Sequence, residues 1–370
     1  MPTRLIFGPG SIDRLSDEVA SIRHRCLIVT GRRSARLSGL LETAQDALLS
    51  AQIESVLFDQ VEPNPTLSTI TDGAKLAQEK QIKWILGIGG GSALDAAKAI
   101  ALTAANGSDI KEFVCGARPA RPPLPLVVVP TTSGTGSEVT PYSVVTDPAE
   151  CDKFGISNPH MFPRLAILDP ELTTSMPEKV SVDTGLDALS HAVEALLSSL
   201  RSPFSDMYAT EAIELVFKSL PSVREDGSFI PGRSSMQLAA CLAGMAIADT
   251  RTLVPHALSY PITVFYDIPH GRACCLLLPA FLERLSDLDD EFVQARVAKI
   301  GGLLGNKDDA PDALRAFMES VGVAPRLGAY GVQDSEIERF AKQSTGKGHL
   351  GISPGEWSME DLLDLYRRSL

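Results

Sequence analysis

No apolar run in this 370-residue chain approaches the ~18 residues a membrane helix requires. The stretch Ala239–Ala248 is too short. A basic surplus is also missing. Against 46 Asp and Glu stand 34 Lys and Arg, a formal charge of −12 with a pI near 5.0. General binding to nucleic acid or to an anionic membrane needs a basic surface, so both are excluded as partners. An anionic substrate would have to find a local Arg or Lys. The six cysteines, Cys26, Cys115, Cys151, Cys241, Cys274 and Cys275, contain no CxxC pair. Adjacent Cys274 and Cys275 make a poor disulfide framework, and the pattern reads as reduced thiols in a cytoplasmic protein. Met1–Phe7 has no apolar core of the kind a signal peptide carries. The GxGxxG dinucleotide fingerprint is absent, as are repeats and low-complexity tracts.

What is present is ordinary globular material, 44% hydrophobic and 22% charged, in a chain long enough for about two domains. Through the first half, short apolar runs alternate with helical patterns. Cys26–Thr30, Trp84–Ile88 and Leu126–Val129 have the unbroken apolar character of strands buried on both faces. Amphipathic stretches at 12–22, 40–51, 67–80 and 93–105 read as the helices between strands. This alternation predicts an α/β domain with a mostly parallel sheet. After about residue 178 only helical segments follow. The expected division is therefore 1–178, an α/β domain, and 179–370, a helical domain, with a cleft between them; the motifs that follow make the first the expected nucleotide-binding domain and the second the expected metal- and substrate-binding domain.

Two loops close buried strands in the first domain. Gly89-Gly-Gly-Ser92 leads into a helix, where small residues let a pyrophosphate reach free backbone N–H groups. Thr131-Thr-Ser-Gly-Thr-Gly-Ser137 offers hydroxyls and flexible backbone for a nucleotide. Asp95 and Lys98, in the following helix, have the spacing of a surface ion pair, and Asp95 also suits the first-turn dipole.

In the second domain, Asp187 and His191 are four apart and share one helix face. His256 and His270 follow, with Pro261 and Pro269 expected to break any helix between them so that the chain folds back. Three imidazoles and one carboxylate suit Fe2+ or Zn2+ and are too nitrogen-rich for Mg2+ or Ca2+. His24 and His160 read as surface residues, and His349 lies in a Gly-rich loop.

The motifs Phe7-Gly-Pro-Gly-Ser11, Gly89-Gly-Gly-Ser-Ala-Leu-Asp-Ala-Ala-Lys98, Pro130-Thr-Thr-Ser-Gly-Thr-Gly-Ser-Glu138, Thr184-Gly-Leu-Asp-Ala-Leu-Ser-His-Ala-Val-Glu194 and the pair around His256 and His270 span nearly the whole chain. Together they resemble the iron-containing (group III) alcohol dehydrogenases, whose fold joins a Rossmann-like, dehydroquinate synthase-like α/β domain to an all-α domain. The resemblance implies a metal-dependent NAD(P)-linked alcohol dehydrogenase or aldehyde reductase, an oxidoreductase acting on CH–OH. It implies Asp187, His191, His256 and His270 as metal ligands serving catalysis. It implies cofactor contacts from Asn64, Gly90, Gly91, Thr131, Thr132, Thr135 and Lys153, to which Ser92 and Asp95 are added as candidates. A homodimer joined through N-terminal strands is the family expectation.

Two positions depart from the family pattern. Where NAD-using members carry an Asp after the second strand, this chain has Gly31 followed by Arg32, Arg33 and Ser34. Loss of the carboxylate and gain of arginine favour a 2′-phosphate, so NADP(H) is expected to be accepted alongside or ahead of NAD(H). Tyr260 replaces a histidine found in many relatives, and His256–Thr263 resembles the branch that reduces phosphonoacetaldehyde. Tyr260, Arg251 and Arg272 are therefore substrate candidates. Sulfoacetaldehyde, succinic semialdehyde, simple aldehydes and maleylacetate are alternative substrates. Dehydroquinate synthase-like lyase chemistry and a non-catalytic nucleotide binder are the remaining readings.

Overall fold

The computed structural model describes residues 1–107, 109–150 and 152–370. The chain forms two compact units, Met1–Ser175 and Met176–Leu370.

The first unit is built on strands β1 (Arg4–Phe7), β2 (Cys26–Gly31), β3 (Ser55–Val61), β4 (Trp84–Gly89), β5 (Leu126–Pro130), β6 (Tyr142–Asp147), β7 (Asp152–Ser157) and β8 (Leu165–Leu168). Six of them make one sheet in the order β1-β8-β5-β4-β2-β3, with every neighbouring pair parallel. β6 and β7 form a separate antiparallel pair. Helices α1 (Leu15–Val19), α2 (Ser34–Leu37), α3 (Leu40–Ser50), α4 (Leu67–Glu79), α5 (Gly91–Asn106) and α6 (Ile110–Val114) connect the strands. β4 and β5 are buried along their whole length, because helices cover both faces of a parallel sheet. Where one amphipathic helix is expected at 12–22, a 3-10 turn at Ser11–Arg14 precedes the short α1. The Ile12 N–H is drawn to the Asp169 carboxylate at 3.1 Å, and the chain turns away after Val19.

The second unit comprises α7 (Glu178–Leu197), α8 (Pro203–Glu225), α9 (Ile230–Thr250), α10 (Val254–Tyr266), α11 (His270–Ser286), α12 (Glu291–Leu303), α13 (Ala310–Ser320), α14 (Asp334–Ser344) and α15 (Met359–Ser369). α7 is buried from Gly185 to Leu197 and packs against α8, α9 and α11. A helix buried on every side has no room for unpaired polar groups, so its Asp, Ser, His and Glu side chains must find partners or a ligand.

Pro261 does not break the chain as expected; it lies inside α10. Proline removes the bond that its nitrogen would give to the carbonyl four residues back. That carbonyl, Ala257 O, instead accepts from the Ser344 hydroxyl at 3.2 Å. The reversal falls at Asp267–Pro269, where Asp267 takes a left-handed conformation.

Among the described residues no single helix is long and apolar enough to cross a membrane; α9 and α10 pass that test only together, across a bend of 113°. No disulfide links the described cysteines, while Cys151 lies outside the described residues.

Candidate active site

At the carboxyl edge of the sheet, β4 delivers Gly89 at φ 141° into the loop that starts α5. Side chains on Gly90 and Gly91 have no space: an added Cβ would come within 2.9 Å of Thr132 and 2.4 Å of Thr135. Bare backbone at these positions is what lets the two loops nest. Thr131 N–H donates to Gly89 O at 3.0 Å. Asn64, itself at φ 57°, donates its N–H to Ser92 Oγ at 3.2 Å, and Lys153 Nζ donates to Asn64 Oδ1 at 2.9 Å. Residues from four separate stretches are thus gathered at one edge beside a helix N-terminus, the setting in which phosphates bind.

Asp95 and Lys98 behave differently from a surface pair. The Asp95 carboxylate accepts from Ser137 Oγ at 2.7 Å and Val144 N–H at 2.9 Å, bracing the second loop. Lys98 is buried and donates to Ser137 Oγ, Thr140 Oγ1 and Tyr142 O. Burial pulls its pKa down to about 8, against the opposing charges of Asp95 and Glu138. At the end of β2, Gly31 is followed by exposed Arg32 and Arg33. Arg32 leans on Gln60 O at 3.4 Å and lies 4.0 Å from Glu62.

The helical unit carries the denser chemistry. Asp187 and His191 project from α7, His256 from the first turn of α10 and His270 from the start of α11. Asp187 Oδ1 lies 4.0 Å from both His191 Nε2 and His270 Nε2. The His191 and His256 rings stack at 4.8 Å, and His256 meets His270 edge-on at 5.3 Å. The four candidate side chains are therefore neighbours, and the donor atoms of Asp187, His256 and His270 lie within 4.8 Å of one another. Asp187 Oδ1 and His256 Nε2 are buried yet make no hydrogen bond among the described residues. Buried polar atoms left this way are costly unless a ligand serves them, and a divalent cation fits the oxygen-and-nitrogen set.

Two residues of this site escape a reading of the sequence. Glu194, fully buried on the same helix, accepts from Ser190 Oγ at 2.8 Å and from the Leu253 N–H at 2.6 Å, and meets His256 Nδ1 at 2.6 Å. It fixes the imidazole so that Nε2 faces the cluster, a common supporting arrangement for a metal-binding histidine. Burial works to raise the Glu194 pKa, but His256, Leu253 and Ser190 outweigh it and hold the carboxyl below the usual range. A signal for it exists along the chain: Asp187, His191 and Glu194 fall at i, i+4 and i+7, one stripe of a helix. Cys274 is the other. Its Sγ lies 3.7 Å from His270 Nδ1 and 3.8 Å from Nε2, and its donor atom groups with those of Asp187, His256 and His270 within 4.8 Å.

Replacing Glu194 by Gln keeps the shape but removes the anion behind His256. Affinity for a divalent metal, measured by competition with a chromophoric chelator, is expected to fall about 10- to 100-fold. Unchanged affinity would show that Glu194 supports the fold alone.

Next to the cluster, Tyr260 sits 6.0 Å from the His270 ring and 6.1 Å from that of His349. Lys347 Nζ lies 4.8 Å above the Tyr260 ring. Burial, then the charges of His256, Arg251 and Lys347 with Glu194 opposing, lowers the His349 pKa to about 4. Arg251 holds φ 59°, an uncommon conformation for a side chain-bearing residue, and its guanidinium borders Gly348. Arg272 is already engaged: its Nε donates to Asp183 at 2.7 Å. His24 and His160 are exposed.

A parallel α/β unit with a glycine-lined loop edge and a helical unit with a cation-ready cluster define the class of metal-dependent dehydrogenases. The model of the iron-containing alcohol dehydrogenase family matches residues 2–170, and that of the Fe-containing alcohol dehydrogenase C-terminal region matches 181–370. The chain belongs to the iron-containing alcohol dehydrogenase family and is an oxidoreductase of the kind that family comprises. The NADPH-dependent butanol dehydrogenase of Clostridium saccharobutylicum is 30% identical over 99% of this chain and 96% of its own length. An iron-containing alcohol dehydrogenase of Thermotoga maritima is 34% identical with a TM-score of 0.89, over 100% of this chain and 98% of that one. The sulfoacetaldehyde reductase of Bifidobacterium kashiwanohense, solved with NAD+, is 30% identical with a TM-score of 0.90, over 100% of this chain and 97% of that one.

Proposed function

We propose that this protein reduces a small aldehyde carrying an anionic group, with phosphonoacetaldehyde as the leading example, to its alcohol at the expense of NADPH or NADH. In this reading Asp187, His191, His256 and His270 hold Fe2+ or Zn2+. The observation that carries it is the pair of buried polar atoms without hydrogen-bond partners among the described residues, Asp187 Oδ1 and His256 Nε2, with two further imidazoles 4.0 Å from Asp187 Oδ1. When bound, the ion supplies Lewis acidity to a carbonyl oxygen, and the nicotinamide supplies the hydride.

The chain's own residues do the rest. Glu194 keeps His256 in the tautomer whose Nε2 faces the centre. Ser259 Oγ, 3.4 Å from His270 Nδ1, orients the third imidazole. Tyr260, 8% exposed, helps exclude water from the carbonyl. Arg251 and Lys347, with neutral His349 between their charges, form the positive border that an otherwise acidic protein needs to receive an anionic head. The bond from Arg272 to Asp183 makes Arg251 the better substrate candidate of the two. Asn64, Gly90, Gly91, Ser92, Thr131, Thr132, Thr135 and Lys153 line the proposed dinucleotide site, with Asp95 holding the loop from behind. The Gly31-Arg32-Arg33 end of β2 presents no carboxylate at positions 31–33 to repel a 2′-phosphate.

The test is oxidation of NADPH and NADH by purified, metal-loaded protein across phosphonoacetaldehyde, sulfoacetaldehyde, succinic semialdehyde and neutral aldehydes of equal length. We expect kcat/KM for the anionic aldehydes to exceed that of the neutral ones by about 10-fold or more, the worth of one charge-assisted contact. NADPH is expected to be used at least as well as NADH. Turnover of neutral aldehydes alone would reject the anionic substrate, and strong NADH preference would reject the nucleotide assignment.

A further inference from the structure

The buried sulfur of Cys274 has no role in the chemistry above. α11 begins at His270, so Cys274 stands one turn further on the same face. Its neighbour Cys275 packs into the apolar core of the helical unit, whereas Cys274 Sγ sits against both ring nitrogens of His270. The Sγ, Asp187, His256 and His270 donor atoms all lie within 4.8 Å of one another. Two donors on opposite sides of one ion are separated by at most about 4.5 Å, twice an ordinary bond length, so this spacing is within a small side-chain adjustment of shared coordination. The same space is faced by buried Asp187 Oδ1 and His256 Nε2, neither with a hydrogen-bond partner among the described residues.

We propose that Cys274 is a further ligand of the metal centre, adding a thiolate to the three imidazoles and one carboxylate. The inference rests on the metal-site reading above. On binding, the S–H bond breaks, its proton passes to solvent, and the sulfur lone pair forms the bond to the ion; no oxidation state changes. A soft donor shifts preference toward thiophilic ions such as Zn2+ and Co2+ over Mg2+ and Mn2+.

Cobalt reports a thiolate directly. The full chain is stripped of metal, loaded with Co2+, and compared with Cys274→Ser and Cys274→Ala. The wild type is expected to show a thiolate-to-cobalt charge-transfer band in the near ultraviolet as well as the visible bands of seated cobalt. The band is expected to vanish in both variants while the visible bands persist, and Zn2+ affinity to fall about 10-fold or more. X-ray absorption of the zinc-loaded wild type, which needs no variant to fold, should show one sulfur at ~2.3 Å. Visible bands without the charge-transfer band, a band that survives Cys274→Ser, or a zinc shell of nitrogen and oxygen only would overturn the proposal and leave the other ligands standing. A wild type that seats no cobalt would overturn the metal-site reading and this inference together.

Discussion

Removal of the divalent metal should lower aldehyde reduction by about 10³-fold or more and leave the protein folded. Polarising a carbonyl oxygen is worth several kcal/mol, and each 1.36 kcal/mol is a factor of ten. His191→Ala should reproduce the loss, since its ring completes the cluster from α7. His256→Ala should lose activity equally but also lose stability. It strips the fully buried Glu194 carboxylate of its imidazole partner and leaves only Ser190 Oγ and the Leu253 N–H. Breaking a buried pair this way costs about 3 kcal/mol or more. Comparing metal content, kcat/KM and urea midpoints for the two variants separates the effects. Full activity in a chelated, metal-free protein would refute the role of the metal.

The same pair sets a pH dependence. In the metal-free chain, burial pushes the His256 pKa down, but neighbouring Cys274 and Glu194 together outweigh it and hold the pKa well above its usual value. The stability this proton brings is fully present below about pH 6.5, the unfolded value, and is lost as pH rises through the elevated folded one. For Glu194 the folded pKa is depressed, so its contribution is present above about pH 4.3 and is lost as pH falls through the folded value. Metal must displace a proton from an imidazole that holds it tightly, so metal affinity should rise with pH.

Gly271→Ala should be nearly as damaging without touching a ligand. An added Cβ would lie 2.2 Å from Asp183 O, 2.5 Å from Asp187 Cβ and 2.7 Å from Asp187 N. Two of those atoms are backbone, so no rotamer change relieves the clash. α11 must move away from α7, which carries His270 away from Asp187. Overpacking of this kind costs about 1–3 kcal/mol, and displacement of a reacting group by about 1 Å costs about 10²-fold in rate. A lower melting temperature together with weakened metal binding is expected. Wild-type values for both would show that the close helix approach is not what assembles the site.

Much of the fold and of this site is legible in the amino-acid sequence, for identifiable reasons. β2, β4 and β5 are unbroken apolar runs because both faces of a parallel sheet are covered, and such runs stand out along a single chain. The Asp187–His191 spacing is a property of a single helix. Glu194 escapes notice although it lies on the same stripe, since a carboxylate two turns along a helix is ordinarily solvated. Pro261 misleads because the compensating hydroxyl, Ser344, is 87 residues away in the chain. Lys98 misleads because spacing cannot tell an exposed Lys from one buried against Ser137, Thr140 and Tyr142.

By itself the sequence determined the two kinds of architecture, the loops at the sheet edge and the identities of three imidazoles and a carboxylate, because each follows from local periodicity or from a motif. Only the tertiary structure decided that Asp187, His191, His256 and His270 are brought together, that Glu194 stands behind His256, that the Cys274 sulfur lies against the His270 ring and that Arg272 is taken up by Asp183. Those outcomes depend on how closely α7, α10 and α11 approach one another, and that distance is set by what each helix leaves out at its crossing, above all the missing side chain of Gly271.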